Sequence, residues 1–460
     1  MEGFSNSESR IPVVAVFDIG KTNKKLFLFN EDYQVVYEHS QQLKETTDED
    51  GFPCEDIHAL TLWIKDSFSA LQQKNDFEIK AINVSAYGAS LVHLDHQHNV
   101  IGHLTNYLKP YPEKILQKFL SEYNRGGKLL TQTASPLLGS LNSGLQLYRL
   151  KYEKPSFYGQ IKYSLHLPQY ISFLIHGKLH SEFTSIGCHT LLWDYEKNSY
   201  HDWVIKEDVH LKFPKTVSQV ETTGGNHSIK AGVGLHDSSS SLIPYMKCLT
   251  DPFVLISTGT WCISLNPFNH GQLTEEELEM DCLHYLSYQG KPIKASRIFA
   301  GHEHDLMTKK IADYFHVSMD YHKTVVFDQR LSSTLANEDS QSIQSGIKGL
   351  QSSGFNQRDL SSFYSFDKAY HQLMHDIVEL QKKSTDLVLE NTIVKNIFVD
   401  GGFSNNSIYM SMLAAHFNGY KISSASMSQA SALGAAIAIH EHWNKKKDIK
   451  EILSLDHVTK

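Results

Sequence analysis

Two short strand–turn–strand runs, about 240 residues apart, constrain this chain more than any other feature. The first runs from Val13 to Asp18, through Ile19-Gly20-Lys21-Thr22-Asn23, into Lys25 to Phe29. The second runs from Pro252 to Ser257, through Thr258-Gly259-Thr260-Trp261, into Cys262 to Leu265. Apolar, β-rich residues on both sides of a Gly/Thr turn predict a β-hairpin in each place. Each opens what length alone makes a new domain of a 460-residue chain. A turn of small donors can wrap phosphate oxygens with backbone N–H groups and a hydroxyl. An acid at the strand end, here Asp18, can hold Mg²⁺ through water. The repetition argues for two related domains facing each other across a cleft. Gly20-Lys21-Thr22 looks like the end of a Walker A loop, but that motif needs glycine five positions earlier, where Ala15 stands, and it must run into a helix.

A third motif lies near the C-terminal end. An apolar strand from Ile393 to Val399 meets Asp400-Gly401-Gly402-Phe403-Ser404-Asn405-Asn406, and the chain restarts as a helix through Ile408, Met412 and Ala415. Glycines at such a junction admit a ligand to the backbone, and free N–H groups at a helix start favour negative charge. A plain strand-to-helix turn fits the same residues. Upstream, the pattern predicts an edge strand at Val35 to Glu38, helices at 57–71, 141–151 and 164–175, and a buried strand at 80–84. A small-residue turn at Gly88-Ala89-Ser90 reads as a ligand approach or as a tight hairpin needing glycine. Residues 222–226 read as a turn. Gly234-Leu235-His236-Asp237-Ser238 places a carboxylate beside a histidine, where Asp237 also suits a helix N-cap. Residues 329–362 read as a long polar surface insertion, 366–389 as a helix, and 429–438 as a small-residue helix able to pack close to another backbone.

Composition excludes several classes. Hydrophobic residues at 41% and charged residues at 20% are those of a globular chain. The net charge of −8, with lysine and arginine scattered, gives no basic footprint for nucleic acid. Lys445-Lys446-Lys447 reads as a solvated face of a terminal helical segment. Five dispersed cysteines without a C-x-x-C pair suit reduced thiols. With no apolar leader in MEGFSNSESR and no run long enough to span a bilayer, a cytoplasmic protein is expected. Histidines cluster around 93–98, 302–305 and 440–442, none with H-E-x-x-H spacing, so surface or hydrogen-bonded roles are expected.

The motifs DIGKTN, STGTW and VDGGFSNN, in this order and spacing over roughly residues 11–442, resemble the FGGY family of carbohydrate kinases. That resemblance implies an α/β fold of two ribonuclease-H-like domains of the actin and hexokinase ATPase type. Each would be a mixed five-stranded sheet flanked by helices, with an ATP cleft between them. The expected domains are 11–246 and 247–445. Gly20, Lys21, Thr22, Asn23 and Lys25 would form the first phosphate motif, Gly259 and Thr260 the second, and Gly401, Gly402 and Asn405 the adenosine motif. Asp18 would serve Mg²⁺. Lys25 stands where arginine is more usual and Gln429 where glutamate is. The Gly234 to Ser238 segment with Thr260-Trp261 most resembles the L-rhamnulokinase branch, with L-fuculokinases next. By that likeness Asp237 is the catalytic base, and Gly88, Ala89, Ser90, His236 and Ser238 line the sugar site. Ala89-Ser90 stands where those enzymes carry a carboxylate after the glycine. Tyr107-Leu108-Lys109 stands where they carry an aromatic-Arg/Gln-Asp triplet.

The implied reaction is ATP-dependent phosphorylation of a ketose primary hydroxyl, such as the 1-OH of L-rhamnulose. Its partner is a small-molecule sugar, with no nucleic acid or membrane; monomer and homodimer stay open. The alternatives are kinases of the same family for L-fuculose, xylulose, ribulose or a polyol, and a non-catalytic nucleotide switch of the actin fold. A serine hydrolase is a weak third, because Gly402-Phe403-Ser404 lacks the final glycine of a nucleophile elbow.

Overall fold

The computed structural model describes residues 10–218, 223–224, 229–337, 352–427, 429–446, 449 and 454–457. Two compact units emerge. One comprises Met1–Cys248, Tyr285–Lys291 and Gln429–Ile452; the other comprises Leu249–His284, Pro292–Ser428 and Leu453–Lys460.

The first unit is built on the strand Ile11–Ile19, whose residues Val13 to Phe17 are all fully buried. An unbroken apolar run of this kind belongs to a strand covered on both faces. The strand pairs antiparallel with Lys24–Asn30, closing the expected hairpin, and parallel with Phe77–Ala86. Val35–Gln41 forms one edge, and its largely exposed, polar sequence suits a strand with one open side. Lys230–Ala231 and Leu235–His236 run parallel to Phe77–Ala86 on its other side, with Thr223–Gly224 beyond the former. Ile57–Gln72 and Leu167–His176 bury Ile57, Leu60, Trp63, Ile64, Tyr170 and Ile171 in the same core as Val13, Phe17 and Val84. Asp56 caps the first of these helices by accepting from His58 N and Ala59 N. The helices Asp237–Cys248 and Ala430–Ala438 meet almost backbone to backbone: a Cβ on Gly434 would fall 1.8 Å from the Ser240 carbonyl oxygen. The small-residue helix therefore packs as closely as its sequence predicts.

The second unit repeats the plan. Phe253–Thr258 pairs antiparallel with Cys262–Asn266 and parallel with Asn396–Gly401. The full sheet order is Cys282–Leu286, Pro292–Ile298, Cys262–Asn266, Phe253–Thr258, Asn396–Gly401, Lys421–Ser426, Ser454–His457. The long helix Phe366–Leu389 buries Leu373, Ile377 and Val388, and Ser365 caps it. Its boundaries are those the periodicity predicts.

Several expectations need correction. Among the described residues the main sheet of each unit has seven strands rather than five: in the first, Lys230–Ala231 and Leu235–His236 share the position beside Phe77–Ala86 and Thr223–Gly224 lies beyond, and in the second Cys282–Leu286 and Ser454–His457 add one strand at each edge. The turn at Gly88 joins strands of different sheets: Leu91–Leu94 pairs with Val100–Ile101 and Tyr163–His166, not with Phe77–Ala86. The stretch expected as a helix from 164 starts as that strand, and the helix begins at Leu167 ahead of Pro168, whose fixed φ suits a first turn. Within 329–362, a helix at Gln329–Asn337 and two short 3₁₀ turns bury Leu335, Phe355 and Leu360, so the insertion is only partly surface. The expected turn at 222–226 lies mostly outside the described residues. Lys445 and Lys446 follow a three-residue 3₁₀ turn, His440–His442, in non-helical chain, and Lys446 pairs with Asp32. Among the described residues no helix is long and apolar enough to cross a membrane.

Candidate functional site

The first hairpin turn is held from inside. Gly20 N donates to Asn23 O at 2.9 Å, and the buried Lys24 ammonium donates to the Gly20 and Lys21 carbonyls at 3.1 and 3.0 Å. Lys24 also pairs with Glu55, which accepts from the Tyr87 hydroxyl at 2.6 Å. Both carbonyls thus point inward, while Thr22 and Asn23 stay exposed at the tip. Lys21 and Lys25 pair with Glu45 and Glu38 at 3.0 and 3.2 Å. Asp18, at the strand end, accepts from Ser431 Oγ at 3.0 Å. Burial pushes its carboxyl up to about 6, the Asp237 charge adds to this, and hydrogen bonds from Ser431 and Ser85 with the Lys25 charge oppose it. A carboxylate under-solvated in this way and facing a second carboxylate suits a hard cation in place of a proton.

Asp237 opens the helix Asp237–Cys248 directly after the strand Leu235–His236, so strand and helix together fix its position. Its Oδ1 accepts from Ser238 N at 2.6 Å and Ser238 Oγ at 3.3 Å and stands 3.4 Å from His236 Nε2. His236 in turn is 3.2 Å from Cys188 Sγ. A Cβ at Gly88 would come within 2.6 Å of the His236 ring, so the glycine is needed for the histidine's approach and not for a hairpin. Gly88, His236, Asp237 and Ser238 are thereby assembled around one point. Ala89 holds a φ of 59°, and its carbonyl accepts from Gln146 at 2.7 Å; with Ser90 it is buried in the turn. Lys109 is bound by Asp48 and by Asp50, the latter at 2.7 Å, on the wall of a separate cavity of about 310 Å³ that Arg149, Glu153 and Lys154 also line.

In the second unit a cavity of about 500 Å³ gathers Thr258, Gly259, Thr260, Gly301, Gly402, Phe403 and Asn405. Thr258 Oγ1 donates to Asp400 O at 2.6 Å and accepts from Phe403 N at 3.0 Å, tying the second hairpin to the glycine turn. Gly401 takes a φ of 90°, and a Cβ there would lie 1.8 Å from the Thr258 carbonyl oxygen. Gly402 has no atom within 4 Å of the place a Cβ would occupy. One glycine is thus required by the neighbouring strand, and the other leaves open space beside exposed backbone, a cradle suited to a nucleotide. Asn405 ends a 3₁₀ turn, Gly402–Asn405, rather than lying on the helix. The cap of that helix, Ser407–His416, is Asn406, which accepts from Ile408 N and Tyr409 N. His304 and Asp305 of the 302–305 cluster line the same cavity, together with His322 and Lys323, which sequence reading did not single out. His304 is bonded to the Tyr370 hydroxyl at 3.0 Å.

The model of the FGGY carbohydrate kinase N-terminal domain matches residues 13–252, and that of the FGGY C-terminal domain matches 250–338. The chain belongs to the FGGY family of carbohydrate kinases. Relatives of this FGGY chain include a rhamnulokinase of Yersinia pestis (strain Pestoides F), 23% identical over 237 residues that make up 48% of this chain and 47% of the relative. A rhamnulokinase of Halalkalibacterium halodurans is 23% identical over 260 residues, 53% of this chain and 52% of the relative. The chain thus spans about half the length of the curated relatives it matches. Its fold is that of a carbohydrate kinase from Novosphingobium aromaticivorans, with a TM-score of 0.79 at 19% identity over 98% of this chain and 94% of the other. A ligand-bound xylulose kinase from Lactobacillus acidophilus gives 0.79 at 16% identity over 97% and 93%.

Proposed function

We propose that this protein is an ATP-dependent sugar kinase acting on the primary hydroxyl of a ketose, the 1-OH of a 6-deoxyketohexose such as L-rhamnulose, with Asp237 as general base. The observation that carries the reading is Asp237 itself: a carboxylate at the junction of strand and helix, oriented by Ser238 and flanked by His236, whose approach Gly88 permits. A nucleotide-binding switch has no need of such a base. The choice of a 6-deoxyketohexose is supported by the two rhamnulokinase relatives.

Phosphoryl transfer asks the protein mainly for position and charge. Asp237 takes the proton of the sugar hydroxyl as that oxygen bonds to the γ-phosphorus, while the bond to the β-phosphate oxygen breaks and ADP leaves. His236, Ser238 and the turn Gly88-Ala89-Ser90 orient the sugar. Gly20, Lys21, Thr22, Asn23 and Lys25 of the first hairpin, with Gly259 and Thr260 of the second, would hold phosphate oxygens; Gly401, Gly402 and Asn405 would hold the adenosine. Asp18 would hold Mg²⁺, which when bound neutralises phosphate charge. The buried Lys24 keeps the hairpin carbonyls turned away from the phosphates.

The deciding experiment is ATP consumption measured across L-rhamnulose, L-fuculose, xylulose, ribulose and a polyol. The proposal expects ketose-dependent ADP release, highest with L-rhamnulose. Preference for another sugar moves the substrate, and ATP binding with no sugar-dependent turnover would overturn the kinase reading.

A further inference from the structure

Beside Asp237, His236 meets two side chains that phosphoryl transfer does not call for, Cys188 and His189. Cys188, His189 and His236 are all buried and bring one ligand atom each to within 4.8 Å of one another. They come from two separate places in the chain: Cys188 and His189 follow the short helix Phe183–Ile186, and His236 ends a strand of the main sheet. Sequence spacing therefore gives no sign of them.

The geometry is that of a metal centre in several respects. Cys188 Sγ lies 3.2 Å from His236 Nε2. Two ligand atoms bound at roughly 2.3 and 2.0 Å to one tetrahedral Zn²⁺ stand about 3.5 Å apart, so little movement is needed. His189 Nδ1 is 3.2 Å from the Leu141 carbonyl, the contact that orients metal-binding imidazoles and leaves Nε2 to the ion. His189 is held at a φ of 40°, a left-handed conformation costly for a residue with a side chain. The nearby Asp237 carboxylate stands 3.4 Å from His236 Nε2. One thiolate and two imidazoles select Zn²⁺ and related thiophilic ions, while Mg²⁺ prefers oxygen donors.

We propose that Cys188, His189 and His236 form a binding site for a thiophilic divalent cation of the Zn²⁺ type, and that its occupation opposes sugar binding by engaging the His236 nitrogen that would otherwise face the sugar. On binding, the Cys188 S–H bond breaks, a sulfur–metal bond forms, and the proton passes to solvent; no electron is transferred. The inhibitory half rests on the sugar-kinase reading, and the binding half stands without it.

The test uses the full chain without sugar or nucleotide, titrated with Co²⁺ while the near-ultraviolet thiolate-to-cobalt charge-transfer band is followed. The other clustered donors among the described residues, His375, Glu379 and His416, include no thiolate and are silent in this band. A saturable one-equivalent band, displaced by Zn²⁺, is expected in the wild-type protein. Removing an outer-shell contact already costs 10- to 100-fold in affinity, so His189→Gln should weaken binding by at least about tenfold. Cys188→Ser should abolish the band, with circular dichroism verifying that both variants fold. Absence of the band from the wild-type protein, or its survival in folded Cys188→Ser, overturns the site. Zn²⁺ inhibition of ADP release should be relieved by raising the ketose and not ATP; inhibition indifferent to ketose overturns the inhibitory half. A protein that shows the band but turns over no sugar confirms the metal site and removes the kinase reading.

Discussion

The ammonium of Lys24 lies 2.6 Å from Oε1 of Glu55, with only 2% and 4% of the two side chains exposed. This pair anchors the first hairpin from beneath, since the same ammonium holds two of the turn's carbonyls. Removing one partner strands a buried charge. Glu55→Leu should therefore lower unfolding free energy by about 3–5 kcal/mol. Lys24→Met combined with Glu55→Leu should recover part of that loss. Urea denaturation of the wild-type, single and double variants measures both effects.

Asp237→Asn keeps the shape of the side chain and removes its ability to take a proton. A positioned base contributes on the order of 10²- to 10⁴-fold, so kcat should fall by that factor. ATP affinity should stay near that of the wild-type protein, because the nucleotide residues belong to other loops. Steady-state kinetics and nucleotide titration check the two halves; near-normal turnover removes Asp237 from its role.

Asp18 makes stability depend on pH in an uncommon direction for an acid. Its carboxyl rises from 3.8 to about 6 on folding, chiefly through burial. Between those values the folded state binds the extra proton, so this contribution is complete at low pH and is lost as pH rises through about 6. Without divalent cation, Asp18→Asn should therefore stabilise the protein above pH 6, by on the order of 3 kcal/mol, and have little effect below pH 4. Melting temperatures of both proteins across this range test the sign. Added Mg²⁺ should narrow the difference by stabilising the wild-type carboxylate.

Gly434→Ala tests the contact between the helices Asp237–Cys248 and Ala430–Ala438. The added methyl would fall 1.8 Å from the Ser240 backbone oxygen, which cannot swing aside as a flexible side chain would. Overpacking of this kind costs about 1–3 kcal/mol, seen as a lower melting temperature. Because Ser240 shares its helix with Asp237, kcat should fall as well, whereas a change confined to stability would separate the contact from the site.

Gly88→Ala bears on the sugar side alone. Its methyl would press on the His236 ring at 2.6 Å. The Michaelis constant for the ketose should rise while that for ATP stays close to its original value. An unchanged ketose constant would show that the ring's position does not matter.

The sequence by itself determined the repeated hairpins, the helix Phe366–Leu389, the close-packing helix around Gly434 and the glycine turn after the strand Asn396–Gly401. All of these are local signals: periodicity, turn residues and small-residue spacing act over a few positions and need no distant partner. What only the tertiary structure decided depends on residues far apart in the chain meeting. Gly88 proved to be required by a ring from His236, Lys24 by Glu55, Gly401 by the Thr258 carbonyl, and Cys188 found His236 for a neighbour. The strand register behaves likewise: Leu91–Leu94 left the expected hairpin because pairing goes to whichever strand the folded chain sets beside it. Local patterns fix the elements and turns, and long-range packing fixes what each side chain faces.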